Sequence, residues 1–288
     1  MLETVSLAVI GGTGLYAMPD LYDMKEYDLD TPFGNPSAPL LVGTLENRRI
    51  AFLARHGRGH TILPSDINFR ANFYALKMLG VTHVISVNAV GSLRDDYAPG
   101  DLVVPDQVFD FTKDRPRTFF GEGLAAHISS ADPFCPEFSR LLLTSIQKTG
   151  TTVHQGGTFL AIEGPRFSTK AESQVFRMWG MSIIGMNTAP EAFLAREAEM
   201  CYAAMAHVTD YDVWHVVDAP VTVDIVIRRL AQNVELSRQA VRNLTSSYTG
   251  DRTCTCGSAL ENTIMTHPDQ IPAVTRQKLA LLVGKYLK

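Results

Sequence analysis

Two acids one residue apart, in Thr209-Asp210-Tyr211-Asp212, close an apolar run, Cys201-Tyr202-Ala203-Ala204-Met205-Ala206-His207-Val208. A run so poor in charge predicts an interior strand. A carboxylate delivered to the end of such a strand loses water and gains proton affinity. At strand period two, Asp210 and Asp212 project to one side. Two neighbouring carboxyls in a dry pocket suggest one protonated and one ionised group, a donor beside an acceptor facing one ligand. The plainer alternative is a polar turn, where Asp is common.

Arg55-His56 is the second pair with chemistry in it. Placed at a strand end, it supplies a permanently charged fork and a second donor, suited to phosphate. The alternative is a salt-bridging arginine beside a structural histidine. Gly11-Gly12-Thr13-Gly14 follows another apolar run, Val5 to Ile10. Such a loop turns sharply, aims backbone N–H groups at an anion and adds the Thr13 hydroxyl. Together with the Asn88-Ala89 segment, these residues compose an inorganic-phosphate pocket. Gly12, Gly14 and Ala17 also fit a dinucleotide-binding spacing, but that fingerprint needs a helix at once, and Pro19-Asp20 argues against one. No Walker lysine motif is present, so triphosphate hydrolysis is not suggested.

The elements that position these residues are legible as short apolar runs. Ile50 to Ala54 leads into Arg55, and His83 to Val87 into a loop Asn88-Ala89-Val90-Gly91-Ser92. Leu102 to Val104 is strand-like, Thr158 to Ile162 precedes Glu163-Gly164-Pro165-Arg166, and Ile183 to Met186 is a further strand. Phe73 to Leu79 and Phe138 to Thr149 have helical spacing. Val223, Val226, Ile227, Leu230 and Val234 mark one face of a long helix beginning at Thr222. Thr169 with Glu172, and Thr188 with Glu191, have capping-box spacing. Strands alternating with helices predict an α/β fold with a largely parallel sheet, with ligands beyond the strands' carboxyl ends.

The chain has 288 residues, 45% of them hydrophobic, enough for one large α/β domain or two small ones. A formal net charge of −4 with scattered basic residues gives no pull toward nucleic acid or anionic membranes. Apolar runs such as Leu279 to Val283 are too short to span a bilayer, and the acidic start Met1-Leu2-Glu3 does not read as a secretory leader. The expected location is the cytoplasm. Four cysteines, Cys135, Cys201, Cys254 and Cys256, are too few for a disulfide scaffold. Cys254-Thr255-Cys256 lacks nearby further ligands of finger-like spacing, so free thiols and no metal are expected. Ser246 to Ile271 breaks the strand–helix pattern and leads to a short helix carrying Leu279, Leu282, Val283 and Tyr286, set on the core or at a subunit contact.

In order along the chain, Gly-Gly-Thr-Gly at 11–14, Thr31-Pro32-Phe33-Gly34, Ala54-Arg55-His56-Gly57, Asn88-Ala89-Val90-Gly91-Ser92-Leu93, Glu163-Gly164-Pro165-Arg166-Phe167, Gly185-Met186, Pro190-Glu191 and Thr209-Asp210-Tyr211-Asp212 resemble the 5′-methylthioadenosine phosphorylases, in the trimeric branch of purine nucleoside phosphorylases. The similarity runs from about residue 5 to 245. It implies a single-domain nucleoside-phosphorylase-type α/β fold over residues 1–248, a mixed, largely parallel twisted sheet flanked by helices, with a tail at 249–288. It implies a pentosyltransferase of purine and methionine salvage that cleaves S-methyl-5′-thioadenosine with inorganic phosphate as co-substrate and no other cofactor. A 6-oxopurine or methylthioinosine phosphorylase is the runner-up. Carried over by position, Thr13, Arg55, His56, Asn88, Ala89 and Asn187 would hold phosphate. Met186, Phe167, Tyr211 and the two aspartates would hold the nucleoside, and Ser168 and Val223 would shape substrate preference. Asp210, Asp212 and His56 would be catalytic, with Asp210 protonating N7 and Asp212 accepting from the 6-amino group; the reverse is possible. His127 would reach a neighbouring subunit's substrate, which implies a homotrimer or a dimer of trimers. Many members of that family carry threonine at the positions of Asn88 and Asn187, and an amide can still donate to phosphate. Members from hyperthermophiles carry Cys135–Cys201 and Cys254–Cys256 type bridges, which the resemblance extends to this chain as an option.

Overall fold

A computed structural model describes residues 2–12, 14–15, 18–215 and 223–287, excluding the side chains of residues 223–233. In chain order the elements are β1 (Leu7–Gly11), β2 (Tyr22–Tyr27), β3 (Leu40–Leu45), β4 (Arg48–Ala54), α1 (Phe69–Met78), β5 (His83–Ser92), β6 (Leu102–Val104), β7 (Gln107–Phe111), α2 (Pro136–Gln147), β8 (Val153–Gln155), β9 (Thr158–Ile162), α3 (Lys170–Met178), β10 (Ile183–Gly185), α4 (Thr188–Glu197), β11 (Cys201–Asp210), α5 (Val223–Ser247), α6 (Ala273–Lys278) and α7 (Ala280–Val283). The strands form one 11-stranded mixed sheet with a path β2-β3-β4-β1-β5-β10-β9-β7, and β11 branches from β5 to carry β6 and β8.

The central strands are apolar at nearly every position because helices cover both faces. Ala8 and Ile10 of β1 point into one core with Ala51, Leu53, Phe73, Leu76, Leu194 and Ala204. Leu7 and Val9 point into the other with Ile50, Phe52, Phe138, Leu142, Val241 and Leu244. Thus α1 and α4 lie on one side, and α2 and α5 on the other. Leu260, Ile271, Leu279, Leu282 and Val283 of the tail are buried in the first core, and the Tyr74 hydroxyl donates to the Lys278 carbonyl across 3.2 Å. The tail therefore completes one helical layer of the fold.

The described residues 14–15 and 18–20 after β1 lead through turns to β2, with no helix of the kind a dinucleotide fingerprint requires. Other differences from the sequence reading concern β5 and α4. Asn88 to Ser92 is not a loop: β5 continues through it, with β11 paired along one edge from His83 to Gly91. On the other edge β1 pairs only with His83 to Ser86, and β10 arrives antiparallel at Gly91 and Ser92. Between them, among the described residues, the β5 edge from Val87 to Val90 has no strand partner. The α4 cap is also not a capping box. Asn187 is the N-cap without a side-chain cap bond, and Glu191 turns elsewhere. At Thr169 and Glu172, both reciprocal bonds of the box are present.

Candidate active site

The open stretch of β5 lies where two strand ends meet. Gly11, the last residue of β1, pairs with Ala54 of β4, which sets Arg55 and His56 beside the opening. From the other side, β10 runs antiparallel to β5 with Ile184 opposite Gly91. Beyond the end of β10, Met186 leads to Asn187, the N-cap of α4. Asn187 Nδ2 lies 3.3 Å from His56 Nε2, which joins the two sides.

His56 Nδ1 is 2.9 Å from the Ile62 carbonyl, a contact that fixes the ring with Nδ1–H as donor and leaves Nε2 facing Asn187. Burial, then the charge of Arg55, lowers the His56 pKa to about 4, so the ring is neutral near pH 7. Asn88 Oδ1, Asn187 Oδ1 and Thr188 Oγ1 are buried without a hydrogen-bond partner among the described residues. Unsatisfied polar atoms in one buried cluster mark a place that a polar ligand completes. The first backbone N–H groups of α4 also open here, uncapped by Asn187, and a helix N-terminus favours an anion.

Arg55 sits beneath this cluster, 2% exposed. Its Nε and Nη2 grip the Glu191 carboxylate, Nη2 also donates to Ser86 Oγ at 2.7 Å, and Nη1 donates to the Val87 carbonyl at 3.1 Å. The guanidinium fork thus serves Glu191, and one Nη1 hydrogen remains beyond these bonds. Glu191 further accepts from the hydroxyls of Ser86 and Tyr202, each at 2.7 Å. The sequence reading missed Glu191 as a partner of Arg55 because its spacing from Thr188 imitates a cap.

At the far end of the opening stand the two acids. Asp210 pairs with Gly91 at the end of β11, after an irregularity at Thr209. Asp212 lies beyond the strand with φ 54°, so the two are joined by a turn and not by strand alternation. The Asp212 N–H donates to Asp210 Oδ1 at 2.8 Å, and the Thr209 hydroxyl lies 2.6 Å from Asp210 Oδ2. Both acids crowd Gly91, where a Cβ would meet Asp210 Oδ1 at 3.0 Å and Asp212 Cβ at 3.2 Å. Asp212 is buried, and this desolvation raises its pKa; the neighbouring Asp210 charge raises it further, while the Ser173 and Ser168 hydroxyls temper it. From Val87, beside Arg55, to Gly91, beside the acids, is four strand residues, about 13 Å.

The remaining residues frame this line. Met186 packs on Gly164, where a Cβ would meet its sulfur at 2.6 Å. Arg115, not singled out from sequence, clamps the floor: Nε pairs with Glu163 at 3.0 Å, Nη1 donates to the Met186 carbonyl and Nη2 to that of Glu163. Ser168 is buried and Phe167 is partly exposed beside it. Tyr211 stacks on His215 with ring centroids 4.7 Å apart. Trp214 holds that turn in place through Nε1–H to the Ser92 carbonyl at 2.7 Å, with the Arg177 guanidinium 3.4 Å over its ring. His127 is exposed, and its backbone N–H bonds to Thr263 of the tail, not to the other site residues. Thr13 and the Val223 side chain lie outside the described residues. The expectation that Cys254 and Cys256 lack further metal ligands is corrected: Cys135 and Cys201 join them from distant positions, all four sulfurs within 4.8 Å of one another.

A sequence profile described as the phosphorylase superfamily matches residues 6–246. The chain is 54% identical to an S-methyl-5′-thioadenosine phosphorylase of Chloroflexus aurantiacus, over 99% of both chains. It is 50% identical to that of Koribacter versatilis, over 97% of this chain and 96% of the relative. Among solved structures, a methylthioadenosine phosphorylase sourced from an antarctic soil metagenomic library superposes with TM-score 0.93 at 41% identity, covering 97% of this chain and 99% of the other. A methylthioadenosine phosphorylase from Schistosoma mansoni in complex with adenine follows at TM-score 0.83 and 32% identity, covering 98% of each. With a split sheet carrying a buried polar cluster at one end and paired acids at the other, the chain belongs to the S-methyl-5′-thioadenosine phosphorylases of the phosphorylase superfamily.

Proposed function

We propose that this chain catalyses the reversible phosphorolysis of S-methyl-5′-thioadenosine to adenine and 5-methylthioribose 1-phosphate, a step of purine and methionine salvage. The observation that carries the reading is the line along β5 from the Arg55–His56–Asn187 cluster to the Asp210–Asp212 pair. Phosphate sits over the cluster, within reach of the His56 ring, the Asn88 and Asn187 amides, the Ala89 backbone and the first turn of α4. The Asn187 NH2 group has a second hydrogen, beyond the one directed at His56 Nε2, to offer the anion. Thr13 completes this set by position. Buried Arg55 adds positive charge that Glu191 holds in place.

The C1′–N9 bond breaks toward the purine, C1′ gains oxocarbenium character, and a phosphate oxygen then bonds to C1′. Positioning and fixed charge supply most of the acceleration. The base leaves more readily when N7 gains a proton, and such general-acid help is worth about a hundredfold or more. Burial and the neighbouring Asp210 charge push Asp212 toward its protonated form. This supports Asp212 as the proton donor and Asp210 as acceptor from the 6-amino group, the reverse of the roles first read from sequence; the two titrate as a pair. A 6-oxopurine puts a carbonyl against the ionised acid, and a buried group left unpaired costs about 1–3 kcal/mol. The inosine analogues are therefore disfavoured. Phe167 lies on the purine and Met186 under the ribose, with Ser168 and Val223 shaping preference.

A trimer, or a dimer of trimers, fits two observations. Phe109 and Phe111 of the edge strand β7, with Met178 and Trp179 at the end of α3, form an exposed apolar patch suited to a subunit contact. His127 is exposed and makes none of the described contacts to its own chain's site, which suits a reach into a neighbour's. No described helix is long and apolar enough to cross a membrane. Four thiols standing unbridged suit the cytoplasm. An end-point assay with and without phosphate, using methylthioadenosine, adenosine, methylthioinosine and inosine, tests the reading. We expect phosphate-dependent release of adenine, fastest from methylthioadenosine. Free methylthioribose without phosphate, or faster turnover of methylthioinosine, overturns it.

A further inference from the structure

We infer that Cys135, Cys201, Cys254 and Cys256 form a closed four-thiolate site for a structural zinc ion, at the opposite end of β11 from the candidate active site. The four sulfurs come from three separate parts of the fold. Cys135 is the N-cap of α2, Cys201 is the first residue of β11, and Cys254 and Cys256 belong to the segment after α5. All four lie within 4.8 Å of one another, and three of the residues are buried. A tetrahedral zinc with Zn–S near 2.3 Å sets its sulfurs about 3.8 Å apart, so this cluster needs only small side-chain adjustments to receive the ion. Two-way pairing explains the arrangement less well. The Cys201 and Cys254 sulfurs approach to 3.4 Å, which matches neither of the two bridges read by resemblance.

The surroundings are those of thiolates. The Phe138 N–H donates to Cys135 Sγ at 3.5 Å from the first turn of a 12-residue helix, whose N-terminus favours negative charge. The Arg196 guanidinium donates to Cys256 Sγ at 3.5 Å. The Arg252 guanidinium lies against Gly257, its carbon 3.1 Å from where a Cβ would stand, one residue from Cys256. These cations offset the surplus negative charge of a zinc held by four thiolates, and N–H groups directed at ligand sulfurs are the usual outer support of such sites. Four thiolates fill the tetrahedron and leave no open coordination position, which makes the site structural and not catalytic. Its mechanical effect is to clip the start of the tail to α2 and β11. Asp210 stands nine residues along β11 from Cys201, about 30 Å of strand.

Tag-free protein, purified under reducing conditions, decides the matter by elemental analysis together with a thiol titration. We expect about one zinc per chain, with the thiols unreactive until a mercurial releases the metal. Replacement by cobalt should give intense tetrahedral d–d bands and a sulfur-to-cobalt charge-transfer band. The double variant Cys254→Ser/Cys256→Ser should lose the metal and melt at lower temperature while keeping kcat for the nucleoside. If that variant does not fold, the zinc content and cobalt spectrum of the unaltered chain still decide. Zinc-free protein with four freely titrating thiols, or an intact mass short of the hydrogens lost to two disulfides, overturns the inference.

Discussion

At the scale of single residues, the polar cluster around Arg55 and His56 depends on one buried carboxylate. Glu191 holds Nε and Nη2 of Arg55 while accepting from Ser86 and Tyr202, all of it out of water. Removing one partner of a buried, hydrogen-bonded ion pair strands the other charge and costs about 3–5 kcal/mol. Glu191→Gln should therefore lower the unfolding midpoint and raise the KM for phosphate more than that for the nucleoside; an unchanged midpoint in thermal melts contradicts the pairing. The two acids make a second prediction. Asp212→Asn and Asp210→Asn should each cut turnover of methylthioadenosine about a hundredfold or more while unfolding stays cooperative. Loss of activity in Asp210→Asn alone, with Asp212→Asn unimpaired, returns the donor role to Asp210. Glu191 was hidden in the sequence because its partner is 136 residues away, whereas Asp210 and Asp212 were legible because the apolar strand before them is local.

At the scale of elements, the site exists because β1 stops at Ser86 and β10 begins at Gly91 along one edge of β5. The apolar runs of β1, β4, β5, β9 and β11 were readable since both sides of each are covered. Tyr22–Tyr27, with most residues exposed, gave no such pattern, and the edge strand β7 mixes apolar and polar residues. That Asn88 to Ser92 stays in strand conformation was not readable either, because its hydrogen bonds come from β10 and β11, far along the chain. The α4 N-terminus gives the test at this level. Asn187→Asp places a negative charge at the N-cap, where Asp suits the helix, but repels phosphate. Its KM for phosphate should rise at least about tenfold with no loss of thermal stability. An unchanged KM removes the helix terminus from anion binding.

For the whole molecule, pH stability follows from buried histidines. Burial lowers His56 and His83 to about 4 and His207 to about 3, against an ordinary value of 6.5. As pH falls from 6.5 toward 4, the unfolded chain binds protons that the native state refuses, so stability falls with it. Glu197, raised to about 7 by burial, slopes the other way, since its native form holds a proton between 4.5 and 7 that the unfolded form gives up. Asp212, also raised by burial, slopes the same way as Glu197. The three histidines outweigh these two acids, and the denaturant midpoint should be lower at pH 5 than at pH 7; a higher midpoint at pH 5 contradicts this balance.

The relation between the two ends of the β5 opening is tested most directly by a crystal structure with methylthioadenosine and a non-reacting sulfate. The account predicts one continuous cavity, with sulfate against His56, Asn187 and the first turn of α4, and the adenine edge between Asp210 and Asp212. Sulfate and purine in separate cavities, too far apart for one nucleoside to join them, would contradict it.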